Sequence, residues 1–192
     1  MTAVVWRPAH RPTAEIEAGA LVLRRFVLGD LDELLHEIDR SREHLSPWQD
    51  WARAADRTSL RAFLIFAEAA WDAKTDFQYG LREADGTLAG GAGLHGRLGP
   101  GAMEIGYWVG AGRINRGYAT AAARALTEAA FALGGVDRVE IHCDEANVRS
   151  AAVPRHLGYR LDRVEEGAQE APADTGRTQV WVLNRVPTGG SS

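Results

Sequence analysis

Residues 114–120 (INRGYAT) lie directly before an alanine-rich run that is typical of a helix. The N-terminus of a helix presents unpaired backbone N–H groups and about half a positive charge, so it can bind phosphate. Gly117 would let a ligand approach the backbone without a Cβ in the way, and Arg116 could bind phosphate oxygens or stay solvated. The segment is a candidate phosphate site, although the glycine patterns of dinucleotide-binding and ATP-binding loops are absent from the sequence.

A second group of titratable or nucleophilic residues lies in the predicted strand at 138–145 (RVEIHCDE). Apolar and polar residues alternate along this strand, which places Glu140, His142 and Asp144 on one face. His142 is a candidate base, although such a histidine is more often a surface or core group. Cys143 lies on the apolar face and is expected to pack rather than react. The spacing of histidine and cysteine predicts no metal site. Three further histidines are too isolated to indicate a role: His36, His44 and His95.

Composition narrows the classes of function. With 192 residues, 45% of them hydrophobic, we expect one domain over residues 1–192, with its core at about 20–186 and flexible ends. The formal net charge of −4 offers no general basic surface for nucleic acid or for an anionic membrane. No apolar run reaches the roughly 18 residues that a membrane-spanning helix needs. A single cysteine cannot form an internal disulfide, which favours a cytoplasmic protein.

Strands and helices that would position these residues follow one another along the chain. Strands are predicted at 20–26, 102–109, 138–145, 159–166 and 178–185. Residues 77–96 are predicted to form a hairpin in which Asp85 and Gly86 make a tight primed turn. Helices are predicted from Asp30, where Glu33 completes a capping-box-like start, from about 58, from 116–118, and over 147–158, where Pro154 should cause a break. This order indicates a mixed α/β fold.

Two long segments carry a family resemblance. Residues 104–131 (EIGYWVGAGRINRGYATAAARALTEAAF) and 136–162 (VDRVEIHCDEANVRSAAVPRHLGYRLD) resemble the GNAT superfamily of acyl-CoA-dependent N-acetyltransferases. Residues 44–52 (HLSPWQDWA) and the N-x-x-S run at 147–150 are similar to the RimJ/RimL-like branch, the ribosomal-protein N-terminal acetyltransferases. The resemblance covers roughly residues 20–186. It implies a central, mostly antiparallel sheet of about seven strands flanked by about four helices.

By this resemblance, residues 114–119 correspond to the pyrophosphate loop of the superfamily, which reads Gln or Arg, two residues, Gly, one residue, then Gly or Ala. Gly117 and Ala119 match the pattern, whereas Ile114 departs from its polar first position. Binding by backbone N–H groups does not depend on that side chain. The preceding strand would hold the pantetheine arm, and Asn147 would face that arm besides capping its helix. The residues expected to bind acetyl-CoA are Tyr107, Trp108, Val109, Ile114, Asn115, Arg116, Gly117, Tyr118, Ala119, Thr120 and Asn147.

The same resemblance assigns two residues to catalysis. In acetyl transfer the acceptor amine must lose a proton, and the departing thiolate must be stabilised. Glu104 is the expected base; the alternatives are that it is an ordinary strand carboxylate or that His142 is the base. Pro154 replaces the tyrosine that is the acid in many GNAT proteins. Ser150 is expected to stabilise the thiolate, unless it only caps its helix. We expect direct transfer without an acyl-enzyme.

The acceptor is expected to be a primary amine, either a protein N-terminus or a small molecule. Trp48 and Trp51 lie in the segment that differs most among proteins of this fold, and they either bind the acceptor or close the core. His142 is a further candidate for acceptor contact. Two other functions stay open: a non-catalytic acyl-CoA sensor, and an acyltransferase that uses another acyl-CoA such as succinyl-CoA. A homodimer is possible, with residues 178–185 as the strand edge to examine.

Overall fold

The computed structural model describes residues 7–186, so residues 1–6 and 187–192 of the ends expected to be flexible lie outside the described residues. Eight strands pair into one sheet. They are β1 (Glu15–Ala18), β2 (Leu21–Arg25), β3 (Asp76–Arg82), β4 (Leu88–His95), β5 (Ala102–Val109), β6 (Arg138–Asp144), β7 (Arg160–Glu166) and β8 (Arg177–Asn184).

The spatial order of the strands is β1-β2-β3-β4-β5-β6-β8-β7, and all neighbours are antiparallel except β5 and β6. This confirms a mixed, mostly antiparallel α/β fold. Eight strands occur where about seven were expected, because β1 lies in a proline-containing segment without a clear period. The prediction of an edge at 178–185 is wrong. β8 lies between β6 and β7, so the edges within the described residues are β1 and β7.

Five α-helices cover the sheet: α1 (Leu31–Leu45), α2 (Asp50–Ala54), α3 (Arg57–Ala73), α4 (Tyr118–Ala132) and α5 (Val148–His156). About four were expected, and the additional one, α2, lies in the tryptophan-containing segment. The capping box predicted at the start of α1 is wrong. Asp30 instead accepts a hydrogen bond from the backbone N–H of Val27 (2.9 Å) and pairs with Arg82, while Glu33 accepts from the N–H of Leu88 (2.8 Å).

Alternation along the strands separates two apolar cores. The larger core includes α4 and one face of the central strands, where Leu94, Ile105 and Ile141 are buried. The smaller core lies among α1, α3 and β4 and contains Leu34 and Leu64. The other face of β3, β4, β5 and β6 carries polar residues and glycines, and it is the face on which much of the candidate site is built.

Two local predictions are corrected by the backbone. In the β3–β4 hairpin the N–H of Gly86 donates to the carbonyl of Glu83 (2.8 Å), and Gly86 has a φ of +86° while Asp85 does not have a positive φ. A primed type I turn needs positive φ at both central residues, so the loop is a type I turn followed by a glycine bulge. The break predicted at Pro154 is also wrong, since α5 continues to His156.

The parallel pair β5 and β6 separates part of the way along its length. Ala102, Met103 and Glu104 pair with residues 138–140, and the pairing ends there within the described residues, although β5 continues to Val109 and β6 to Asp144. We call this opening the β5–β6 split. Backbone N–H and C=O groups must find hydrogen-bond partners, so a strand that diverges from its neighbour can bind an extended ligand.

Candidate active site

Two cavities meet at the end of β5. The first, of about 560 Å³, extends between α1–α3 and the polar face of the sheet, and we call it the α1 cavity. The second, of about 650 Å³, lies at the starts of α4 and α5, and we call it the α4 cavity. They share the lining residues Gln49, Tyr107, Trp108 and Ser150. Two molecules held in the two cavities can therefore meet beside Tyr107 and Ser150.

The loop predicted to bind phosphate lines the α4 cavity. Gly117 is the N-cap of the 15-residue helix α4 and has a φ of +77°, and Asn115 has a φ of +61°. Glycine and asparagine tolerate this left-handed conformation better than other residues. From the segment the lining residues are Ile114, Asn115, Gly117, Tyr118, Ala119 and Thr120. The Arg116 side chain extends instead to Glu83, with Nη1 3.1 Å from Oε1.

Glu83 organises the basic residues around this loop. Its carboxylate accepts hydrogen bonds from the hydroxyl of Tyr118 (2.7 Å), from Nε of Arg113 (3.0 Å) and from Arg116. The hydrogen bond from Tyr118, followed by that from Arg113, holds the pKa of Glu83 below its usual value. Arg113 also pairs with the buried Glu37 (3.2 Å). No local pattern predicted this cluster, because Glu83 lies 30 residues before Arg113, in the β3–β4 loop.

Tyr107 and Ser150 form a hydroxyl pair between the two cavities. The Tyr107 hydroxyl donates to the Ser150 carbonyl (3.0 Å) and lies 3.2 Å from Ser150 Oγ. That carbonyl needs an outside donor because Pro154, four residues later, has no N–H. Burial raises the pKa of Tyr107, so this side chain keeps its proton at neutral pH. Asn147 caps α5 by accepting from the N–H of Ser150 (3.1 Å).

Glu104 lies on the polar face of β5 and lines the α1 cavity. Arg97 binds its carboxylate with two hydrogen bonds, of 2.7 and 2.5 Å. Burial by itself raises the pKa of Glu104, but the hydrogen bonds from Arg97 and the nearby His142 lower it below its usual value. His142 Nδ1 is 4.0 Å from Glu104, and its Nε2 is 2.6 Å from the buried Glu140.

A second histidine, which the sequence left without a role, lines the same cavity. His95 Nδ1 is 2.9 Å from the carboxylate of Asp76, which also accepts a hydrogen bond of 2.6 Å from Gln78. The register of the sheet explains the contact, since His95 lies directly opposite Asp76 on one side and Glu104 on the other. The hairpin pattern was a usable signal, because pairing outward from the turn brings Asp76 and His95 together.

The tryptophans of the α1–α3 segment face different cavities. Trp51 is 43% exposed, lines the α1 cavity and packs edge-on against Trp108 with ring centroids 6.0 Å apart. Trp48 is partly buried and lines the α4 cavity. The apolar end of the α1 cavity includes Phe26 and Phe63. This cavity therefore combines an aromatic end with a polar end at Glu104.

Other kinds of chemistry have little support in the described part of the chain. Cys143 is buried, and burial raises the pKa of its thiol to about 11, which disfavours the thiolate. Across residues 7–186, no group of three or more His, Cys, Asp or Glu side chains is placed to hold a metal ion. No helix within those residues is both long and apolar enough to cross a membrane.

Comparison with known proteins places this geometry in context. A family model described as the acetyltransferase (GNAT) domain matches residues 20–160. No protein of curated function matches the sequence. A solved structure of RimL, the ribosomal L7/L12 alpha-N-protein acetyltransferase, in complex with coenzyme A is 19% identical with a TM-score of 0.81, covering 88% of this chain and 97% of that one.

Two further solved structures have the same fold. RimJ from Mycobacterium smegmatis, in complex with CoA-disulfide, is 21% identical with a TM-score of 0.79, covering 93% of this chain and 90% of that one. The microcin C7 self-immunity acetyltransferase MccE, in complex with acetyl-CoA and AMP, is 18% identical with a TM-score of 0.79, covering 87% of this chain and 93% of that one. At these identities the likeness concerns the fold.

Proposed function

The chain belongs to the GNAT acetyltransferase family, and we propose that it transfers an acetyl group from acetyl-CoA directly to a primary amine. The observation that carries the proposal is the meeting of the two cavities beside Tyr107 and Ser150, next to the β5–β6 split. One cavity begins at a helix N-terminus suited to phosphate, and the other holds the carboxylate of Glu104. Each substrate thus has its own cavity, and the reacting atoms would meet where the cavities join.

Acetyl-CoA would lie in the α4 cavity. The N-terminus of α4, opened by the left-handed Gly117, would bind the pyrophosphate through backbone N–H groups. Residues 107–109 of β5 line the cavity beyond the point where pairing with β6 ends, so their backbone could hold the pantetheine arm. Asn147, at the opposite wall, would contact the same arm. Arg116 would have to turn from Glu83 to reach a phosphate group.

The leaving thiolate would form beside Ser150. Its hydroxyl lies at the N-terminal turn of α5, where the helix dipole favours negative charge. The Tyr107 hydroxyl lies 3.2 Å from Ser150 Oγ and is kept protonated by its raised pKa. We propose that Ser150 stabilises the thiolate and that Tyr107 holds Ser150 in place.

The acceptor amine would enter through the α1 cavity. The ionised Glu104 would attract its ammonium group, and Glu104 and His142 both remain predicted bases from the sequence. Trp51 and Trp108 would contact the group next to the amine. RimL is a protein acetyltransferase by name, whereas MccE is in complex with AMP as well as acetyl-CoA. We propose an N-terminal peptide as the first class of acceptor to test, with small amines second.

Two wider properties are also proposals. The buried thiol of Cys143 is compatible with a reducing, cytoplasmic location. A homodimer would most simply use the exposed edge strand β7, where Leu161 and Val164 are exposed.

Thermal unfolding with acetyl-CoA tests the substrate cavity. At about 100 times Kd the ligand should add about 2.7 kcal/mol, which raises the Tm by roughly 5–10 °C for a domain of this size. Gly117→Val should abolish the shift. Gly19→Val is the matched control, because Gly19 also has a positive φ (+66°) and open space around its Cβ but lies between β1 and β2. It should lower the baseline Tm and keep the shift.

Release of coenzyme A with tetrapeptides beginning with serine, alanine or methionine, and with small amines, tests transfer itself. We expect release to depend on both substrates and to yield the acetylated amine by mass spectrometry. A full thermal shift without release for any amine would instead support the acyl-CoA sensor. No thermal shift at saturating acetyl-CoA would refute the proposed function.

A further inference from the structure

Asp76 and His95 form a hydrogen-bonded dyad at the polar end of the α1 cavity. Nδ1 of His95 lies 2.9 Å from Oδ2 of Asp76, and both side chains are about five-sixths buried, at 16% and 15% exposed. An ionised carboxylate only accepts hydrogen bonds, so Nδ1 carries a proton, and in the neutral imidazole the lone pair then lies on Nε2. Gln78 donates to the other oxygen of Asp76 (2.6 Å) and fixes the carboxylate.

The free nitrogen of the dyad is placed next to the reacting region. A Cβ added to Gly106 would come within 3.0 Å of Nε2 of His95, so this nitrogen lies directly over the Gly106 backbone. Gly106 immediately precedes Tyr107, which lines both cavities. Because Gly106 has no side chain, the imidazole of His95 can occupy this space. An amine approaching the end of β5 from the α1 cavity would thus pass Nε2.

The other candidate bases in this cavity, Glu104 and His142, each have charged partners. Both oxygens of Glu104 accept hydrogen bonds from Arg97, which leaves this carboxylate a poor proton acceptor. His142 is likewise paired through one nitrogen, Nε2, with Glu140, but its second nitrogen, Nδ1, lies 4.0 Å from the Glu104 carboxylate. His95 is the group whose remaining nitrogen lies over the backbone of β5 beside Tyr107.

We infer that His95 is the general base of the acetyl transfer and that Asp76 is its positioning residue; this rests on the proposed function. Nε2 takes one proton from the acceptor ammonium, and Asp76 stabilises the imidazolium formed. The neutral amine attacks the thioester carbonyl carbon, the C–N bond forms, and the C–S bond breaks. A second proton leaves the amine nitrogen and neutralises the departing thiolate, and His95 returns the proton on its Nε2 to solvent. Glu104 holds the ammonium group.

The test compares variants of the full chain in the coenzyme A release assay, with a tetrapeptide or amine that the wild type acetylates. A positioned base contributes about 10²–10⁴ in rate, so His95→Gln should lower kcat by about that factor. The acetyl-CoA thermal shift should stay within a degree or two of wild type, which shows an intact fold and cofactor cavity. Asp76→Asn should lower kcat by about tenfold or more with little change in KM.

Three further variants make the result specific. His95→Ala should regain activity with added imidazole, a response that a purely structural role would not give. His36→Gln, on the exposed side of α1, is the control and should behave as wild type. His142→Gln should lose less activity than His95→Gln.

Wild-type kcat in His95→Gln, or a large loss confined to His142→Gln or Glu104→Gln, would overturn the inference while leaving the proposed function intact. Failure of the wild type to acetylate any amine would overturn both.

Discussion

Removing the Tyr107 hydroxyl should destabilise the protein by an amount that depends on Pro154. In the native structure this hydroxyl is the donor to the Ser150 carbonyl, at 3.0 Å, because Pro154 cannot supply the N–H that a helix normally provides. Tyr107→Phe leaves the carbonyl without that donor in a partly buried region. An unsatisfied buried carbonyl costs about 1–3 kcal/mol, or roughly 4–8 °C in Tm for a middle value and a domain of this size.

Pro154→Ala changes that expectation. The alanine N–H can donate to the Ser150 carbonyl, so Tyr107→Phe should cost about 1 kcal/mol or less in the Pro154→Ala background. The difference between the two backgrounds is the coupling energy, which we expect to be about 1–2 kcal/mol. It is measured by urea unfolding of the wild type, both single variants and the double variant.

Tyr79→Phe provides the matched control for this cycle. Its buried hydroxyl also donates to a backbone carbonyl, that of Thr13 at 2.9 Å, but it lies on β3 away from α5. Its effect should add to that of Pro154→Ala. Equal costs for Tyr107→Phe in both backgrounds would refute the reasoning, because the proline would then have no part in the need for the tyrosine.

Three other predictions follow from the charges and the cavities. Glu104 and Asp144 have lowered pKa values in the folded protein. Their contribution to stability is therefore present above the ordinary carboxyl range and is lost as the pH falls through about 4.5 and below. The Tm should drop in that pH range, and it should drop less steeply in Glu104→Gln. Glu83→Gln removes a negative charge beside the phosphate loop, so acetyl-CoA should bind about two- to fivefold more tightly at low salt, as measured by calorimetry. This gain in affinity should decrease as added salt screens the charges. Weaker binding would mean that Glu83 mainly positions the arginines. Trp51→Ala should raise the acceptor KM several-fold while changing Tm by less than about 3 °C, because the ring is 43% exposed and lines the α1 cavity.

The sequence predicted the elements well where a regular period runs through them. β5 was predicted at its observed bounds, and the helix predicted from 116–118 is α4, which begins at Tyr118. The alternation in β6 likewise separated the buried Ile141 from the cavity-lining His142. Short elements without a period, such as β1 and α2, gave no comparable signal.

The contacts that define the site were harder to predict because they join distant parts of the chain. Asp76 and His95 are 19 residues apart, and Tyr107 and Ser150 are 43 apart. Each pair depends on strand register or helix placement rather than on local spacing. The resemblance supplied Glu104 and Ser150 as candidates, but the partners that set their chemistry, Arg97 and Tyr107, required the assembled sheet.

The β5–β6 split has a mechanical consequence. The strands β1–β5 form one half-sheet and β6, β8 and β7 form another, and between them the ladder comprises only three residue pairs. An acyl-CoA arm lying in the split would act as a temporary strand between the two halves. The backbone amides at 105–109 that point away from β4, and those at 141–144 that point away from β8, should then become protected from hydrogen exchange together. Loading of the substrate would thus join the two half-sheets along the split, and release of coenzyme A would remove that link.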